Sequence, residues 1–241
     1  MNSSRHWSRA CVTAVLGLAC SAPSAAHAQQ PSAAAIIQGV DAEVASRVKN
    51  VLAFTDIEQY AVYRGNDETH PVAQMTVRDA YKKGAGKTYT ILSQSGSGIV
   101  LRFGLRPLVE HETNINKPGR VEDSWFTSAN YKMRLKPGGM ERVNGRNCYA
   151  LAITPRYKAT KMIDGTLWVD AKDYSIVKVQ GVASKKPFVF AGTTHMMRQY
   201  VNIDGYPMAT YAHAESDSFL FGRTVLIINY TGYHLKVRPD R

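Results

Sequence analysis

The sequence predicts a mainly β chain with one or two helices, folded as a half-closed, strongly curved antiparallel barrel with a helical lid. Three observations lead there. Strand-like runs rich in Tyr, Thr, Val and Ile recur from Ile57 to Leu235, punctuated by Gly and Pro. One amphipathic stretch precedes them, and one dense apolar stretch interrupts them. About nine or ten strands are expected, and a sheet of that size must curl or close. Helices covering its open side agree with the order of elements.

The chain opens with a basic n-region, Arg5 and Arg9, and a short apolar run, Ala10 to Ala19. Ala26-His27-Ala28 follows as a small-x-small cleavage site. This is the layout of a secretory signal peptide, residues 1–28, cleaved after Ala28. The run is shorter than the roughly 20 residues a bilayer span needs. A competing reading takes Gly17-Leu18-Ala19-Cys20 as a lipobox, with acylation of Cys20. Gly17 is smaller than the aliphatic residue usual there, so cleavage after Ala28 is preferred. The expected compartment is the periplasm.

Residues 29–38 are read as a tether, on the Gln/Pro/Ser/Ala character of Gln29–Ala35, and 39–237 as a single β domain. Cys11 and Cys20 leave with the signal, so Cys148 has no partner for an intramolecular disulfide. Cys148 lies between Asn147 and Tyr149 in an expected strand and is read as a small buried hydrophobe. The formal net charge is +11, two units of it from Arg5 and Arg9. That charge favours anionic envelope material. The basic residues are scattered and the chain carries an export signal, so nucleic acid is not an expected partner.

Val40, Val44, Val48, Val51 and Leu52 fall on one helical face and predict the first helix. Strands follow at Ile57–Arg64, Val72–Lys82 and Lys87–Ser95. Gly98–Glu112 is denser in apolar residues and reads as a helix broken near Gly104 and Pro107. Tyr131–Lys136 is a strand ended by a turn at Pro137-Gly138-Gly139, and Asn144-Gly145 is a tight turn leading to Cys148–Thr154. Gly165–Asp170 and Ser175–Gln180 flank Ala171–Tyr174 as a hairpin. Further strands are expected at Thr194–Asn202, Pro207–Glu215 and Thr224–Leu235, with turns at Gly205-Tyr206-Pro207 and Phe221-Gly222.

No catalytic constellation emerges. Gly84-Ala85-Gly86-Lys87-Thr88 resembles a phosphate loop, but Tyr81 stands where that motif needs its first glycine, so a hairpin turn is the better reading. His111-Glu112 lacks the second histidine of a zinc-protease helix. His195, His213 and His234 sit on separate strands without ligand spacing. Ser216, Asp217 and His213 lack a nucleophile turn. No enzymatic activity, metal or cofactor is expected.

The informative stretch runs from Asn130 to Tyr233. Asn130-Tyr131 opens a strand, and Asn144-Gly145 leads to Leu151-Ala152-Ile153-Thr154-Pro155. Gly165-Thr166-Leu167-Trp168-Val169-Asp170 pairs with Ile176-Val177-Lys178-Val179, ahead of Asp204-Gly205-Tyr206-Pro207 and Leu226-Ile227-Ile228-Asn229-Tyr230. In order and spacing these resemble the outer-membrane lipoprotein-sorting family, the periplasmic proteins similar to the lipoprotein carrier LolA. The resemblance covers about half of the mature chain. It implies a helical lid, an apolar cavity for acyl chains, and a non-catalytic carrier or binder of lipoprotein or lipid. The alternative is a sensor module that detects lipid or lipoprotein and contacts a protein partner, such as an envelope membrane protein. A monomer is expected.

Strand alternation nominates the cavity lining. Leu167, Val169, Val177 and Val179 face inward if Lys178 faces solvent, and Tyr149, Leu151, Ile153, Leu226, Ile228 and Tyr230 follow by the same rule. The competing reading is that these side chains fill a closed core. Leu101, Phe103, Leu105 and Leu108 are the lid candidates.

Overall fold

A computed structural model describes residues 30–119, 122–159, 162–185, 191–218 and 222–239. The expected signal peptide, its cleavage site, Cys20 and Phe221 lie outside the described residues.

Helix α1 spans Ala33–Asn50. Ser32 caps it, its Oγ accepting from the Ala35 N–H at 3.2 Å, and Arg47 and Lys49 occupy the last turn, where cations suit the helix dipole. The helix takes in residues 33–38, which the sequence reading placed in the tether. The cause is the cap together with Ile36, which extends the buried stripe of Val40 and Val44 by one turn. At the other end Val51 turns extended, so Val51 and Leu52 begin a strand instead of ending the helix.

The strands are β1 (Val51–Arg64), β2 (Ala73–Lys82), β3 (Gly86–Gly96), β4 (Tyr131–Val143), β5 (Arg146–Pro155), β6 (Ile163–Asp170), β7 (Ile176–Ala183), β8 (Ala191–Ile203), β9 (Tyr206–Ser218) and β10 (Gly222–Val237). They form one ten-stranded sheet in the order β3-β2-β1-β10-β9-β8-β7-β6-β5-β4. All paired strands are antiparallel. The sheet is a curved, half-closed barrel with β3 and β4 as its two free edges. These edge strands are consecutive in the chain, so the connection between them has to bridge the open side.

That connection carries the second helical run: α2 (Gly98–Val100), a π-helical segment (Leu101–Leu105) and α3 (Arg106–Ile115). The sequence reading expected a break near Gly104 and Pro107. The run is continuous instead, because the chain widens by one π turn, with the Arg106 N–H bonded to the Leu101 carbonyl. Pro107 has no N–H and its ring crowds the carbonyl four residues back, and a wider turn relieves both faults.

Two other expectations shift by a few residues. Pro137-Gly138-Gly139 is not a turn, since β4 continues past it with a bulge between Leu135 and Met140. The β8–β9 turn is made by Asp204 and Gly205, both at positive φ, and Tyr206 and Pro207 already belong to β9. Asn144 and Gly145, at φ 50° and 79°, form the expected tight turn. Gly165 and Gly181 are cross-strand partners, and a Cβ on Gly181 would lie 2.1 Å from the Asp164 carbonyl. The two glycines let β6 and β7 approach closely as the sheet bends.

The interior holds two separate cores. In the first, Ile36, Val40 and Val44 of α1 cover Tyr131, Tyr149, Leu151, Ile153, Leu167, Val169 and Val179 of β4–β7. Asp41 fastens this helix by accepting from the Ser128 N–H at 2.8 Å and the Ser128 hydroxyl at 2.6 Å. In the second, Val100, Leu105 and Val109 of the second run cover Tyr60, Val62, Met75 and Val77 of β1 and β2, with Ala212, Ile228 and Tyr230.

Candidate functional site

The two cores meet along β9, where the inner face carries Ala209, Ala212 and Ala214. Cross-strand rows run Ile228–Ala212–Arg198 and Leu226–Ala214–Met196, and Tyr200 stands opposite Ala209. Met196 and Tyr200 pack on the first core, and Ala209, Ala212, Leu226 and Tyr230 belong to the second. By side-chain size alone, three methyl groups between longer neighbours leave a trough along β9. Tyr200 also lines a cleft of about 400 Å³ at the hairpin ends, together with Asn144, Arg146, Asp170 and Lys172.

Arg198 projects into this seam between Met196 and Tyr200. Among the described residues it has no hydrogen bond or ion pair. Tyr230 and Tyr200 lie beside it, and the acidic groups whose fields reach it are Glu112 and Glu58. Arg198 is half-buried, and its guanidinium carries five donors for water or an anion to satisfy. On α1, Arg47 donates to the sulfur of Met208 at 3.6 Å, and its Nε is buried with no partner among the described residues.

Next to the trough, β1–β3 hold a buried ionic cluster. Lys87 binds Glu58 at 2.7 Å and also binds Asp79, and the Tyr60 hydroxyl donates to Glu58. Burial pushes the Asp56 carboxyl up to about 7 and, with its hydrogen bond to Glu58, the Asp79 carboxyl up to about 8. Burial also pushes at Glu58, but Lys87 outweighs it together with hydrogen bonds from Asp79, Lys87 and Tyr60, so Glu58 stays below the usual range. The oxygens of Asp56, Glu58 and Asp79 lie within 4.8 Å of one another, a hard-oxygen set suited to a divalent cation. Lys87 already supplies a positive charge to two of the three.

The nominated cavity residues divide. Tyr149, Leu151, Ile153, Leu167, Val169 and Val179 all face inward, but they are sealed beneath α1. Leu226, Ile228 and Tyr230 border the trough from the second core, Leu226 half-buried and Ile228 and Tyr230 buried beside the second helical run. Val177 is buried yet belongs to neither core, and Ile176 joins the first core in its place. The cause is a bulge: Trp168 pairs with Lys178 and Val169 with Ile176, leaving Val177 as the extra residue that breaks the alternation. Lys178 stays on the outer face as expected, its Nζ 5.0 Å from the Trp168 ring centroid.

The lid candidates also divide. Leu105 is 1% exposed, and Leu101 and Leu108 pack against the second core. Phe103 does not: it is 66% exposed and points away from the sheet. The π turn explains the difference. Five residues advance an α-helix by about 500°, which would set Val100 and Leu105 about 140° apart. The wider turn keeps both on the sheet side and leaves Phe103 outside.

The other polar candidates are dispersed. His195 stands opposite Glu215, His213 between Met197 and Ile227, and His234 opposite Thr55. Ser216 lies on the opposite face of β9 from His213 and Asp217, because side chains alternate along a strand. Residues 83–85 form the β2–β3 hairpin turn. Cys148 is fully buried, and burial pushes its thiol up to about 11. The sequence reading missed Arg198 and the alanines of β9. The spacing Ala212-x-Ala214 opposite a basic residue at the centre of β8 is the signal that carried them.

No protein-family model matches the chain, and no curated protein matches it. Among solved structures the chain is similar to a LolA superfamily protein from Nitrosomonas europaea, at 12% identity over 87% of this chain and 96% of that one, with a TM-score of 0.45. It is also similar to a DUF1329 family protein from Desulfovibrio piger, at 14% identity over 85% and 95% of the two chains, with a TM-score of 0.42. A third likeness is to an outer membrane lipoprotein-sorting protein domain from Vibrio parahaemolyticus, at 12% identity over 82% and 91%, with a TM-score of 0.44.

Proposed function

We propose that the chain is a periplasmic, non-catalytic carrier or binder of lipid or lipoprotein acyl chains, and that the trough along β9 is where the chain lies. The observation that carries this reading is the unpaired Arg198 set in an apolar seam floored by alanine. An acyl chain placed over Ala209, Ala212 and Ala214 leaves water at a gain of about 0.8 kcal/mol per methylene. A carboxylate or phosphate at its head meets Arg198 in the two-pronged geometry that guanidinium favours. The ligand is thus an anionic amphiphile. The residues beneath α1, and Ile228 and Tyr230 beside the second helical run, join the lining only if those helices lift.

The test is displacement of a fluorescent fatty-acyl probe by a fatty acid and by the matching fatty alcohol. Arg198→Gln is expected to abolish the preference for the acid while keeping alcohol binding. Ala214→Leu, which fills the trough, is expected to weaken both. Equal affinities in wild type and in both folded variants would overturn the site. Lipid mass spectrometry of protein purified from its native envelope identifies the cargo.

A further inference from the structure

The solvent face of the second helical run carries Ile99, 68% exposed, and Phe103, 66% exposed, one turn apart. Arg102 and Arg106 are exposed on the same turns. The Arg102 guanidinium lies 5.2 Å from the Phe103 ring centroid, and Arg106 donates to Gln94 of β3 at 3.1 Å. Glu110 and His111, one turn further on, are also exposed. Isolated exposed apolar side chains are ordinary. Two large ones at i and i+4 on a helix, bracketed by arginines, form an interfacial surface.

We propose that this face docks the protein on an anionic phospholipid bilayer, with Ile99 and Phe103 entering the headgroup–acyl boundary and Arg102 and Arg106 pairing with lipid phosphates. Two arguments favour a membrane as the occupant. The charge is complementary, since the formal net charge is +11 for the whole sequence and +9 without Arg5 and Arg9, and the turns bearing the apolar residues carry arginine. Arginine held near an aromatic ring keeps its fork free for phosphate while its stem lies on apolar surface. The π turn builds the surface, because it sends Leu105 to the sheet and leaves Phe103 for the bilayer. The inference is independent of what the trough binds.

The experiment is co-sedimentation of the mature protein with vesicles of phosphatidylcholine alone and with phosphatidylglycerol added. Binding is expected only to the anionic vesicles and is expected to fall with salt. Ile99→Ser with Phe103→Ser should lower the partition at least about tenfold, given the apolar area withdrawn. Arg102→Gln with Arg106→Gln should remove the preference for phosphatidylglycerol. All four residues are exposed, so the variants should keep the wild-type melting temperature. Failure of wild type to bind anionic vesicles at low salt, or wild-type partition in the folded double variants, would overturn the proposal. Either result leaves fatty-acyl probe binding at the trough as a separate readout.

Discussion

The Lys87 ammonium donates to Glu58 Oε1 at 2.7 Å across the intervening strand β2, so one side chain ties β3 to β1. Their side chains are 11% and 3% exposed, and Asp79, the third member, is 1% exposed. Removing the cation strands buried carboxylates. Lys87→Met is therefore expected to cost about 3–5 kcal/mol of stability, measured by urea unfolding. A loss below about 1 kcal/mol would mean that water reaches the cluster.

The same cluster sets a pH dependence. Asp56 and Asp79, raised to about 7 and about 8, hold protons in the folded chain that the unfolded chain releases near its ordinary carboxylate pKa. Their contribution is complete below about pH 4 and is lost as pH rises through the folded values. Glu58 shifts the other way, so its contribution changes only below the ordinary carboxylate range. Unfolding free energy should thus fall between about pH 5 and pH 8.5. Asp56→Asn with Asp79→Asn should reduce that slope, leaving the part due to Glu43, whose carboxyl burial also pushes up to about 7, and an equally steep slope in the double variant counts against the assignment.

Helix α1 sits so close to the hairpin after β6 that a Cβ on Gly39 would lie 2.4 Å from Tyr174 Cδ2. Gly39→Ala should destabilise by about 1–3 kcal/mol, the usual range for overpacking, although alanine is the better helix former. Chemical denaturation gives the number, and a stabilised variant would show that the ring swings aside freely.

Leu105 and Phe103 lie two residues apart with opposite fates. Leu105→Ala should cost about 2–5 kcal/mol by opening the second core, while Phe103→Ala should stay within about 0.5 kcal/mol of wild type. Parallel melting curves decide this, and a large loss at Phe103 would place its ring against the sheet.

Cys148 should resist thiol reagents in the native protein at pH 8, because its Sγ is buried and its thiol pKa is raised to about 11. Rapid labelling without denaturant would contradict its burial.

Patterns confined to one strand or turn were legible in the sequence. Asn144-Gly145 set its hairpin by backbone conformation alone, and the alternation in Gly165–Asp170 oriented Leu167 and Val169 correctly. What was not legible depends on neighbours far away in the chain. Asp56, Glu58, Asp79 and Lys87 look like surface charges until the register of β1, β2 and β3 stacks them on one inner face. Val177 follows perfect alternation by sequence, and only its pairing with β6 reveals the bulge. Arg198 looks like one more scattered basic residue until Ala212 and Ile228 are placed beside it. The helical run was expected, but its facing was not, because a π turn changes which residues share a side.

The division of the interior has a mechanical meaning. Each helix is clamped to its own group of strands, one plate formed by β4–β7 and the other by β1, β2 and β10, and the plates meet near β9 with its inward alanines. The ladder between β8 and β9 already has an irregular step beside Tyr200, where added bending strain is most easily taken up. An acyl chain lying in the trough, as proposed, would act as a wedge between the plates and would change the angle between the two helices.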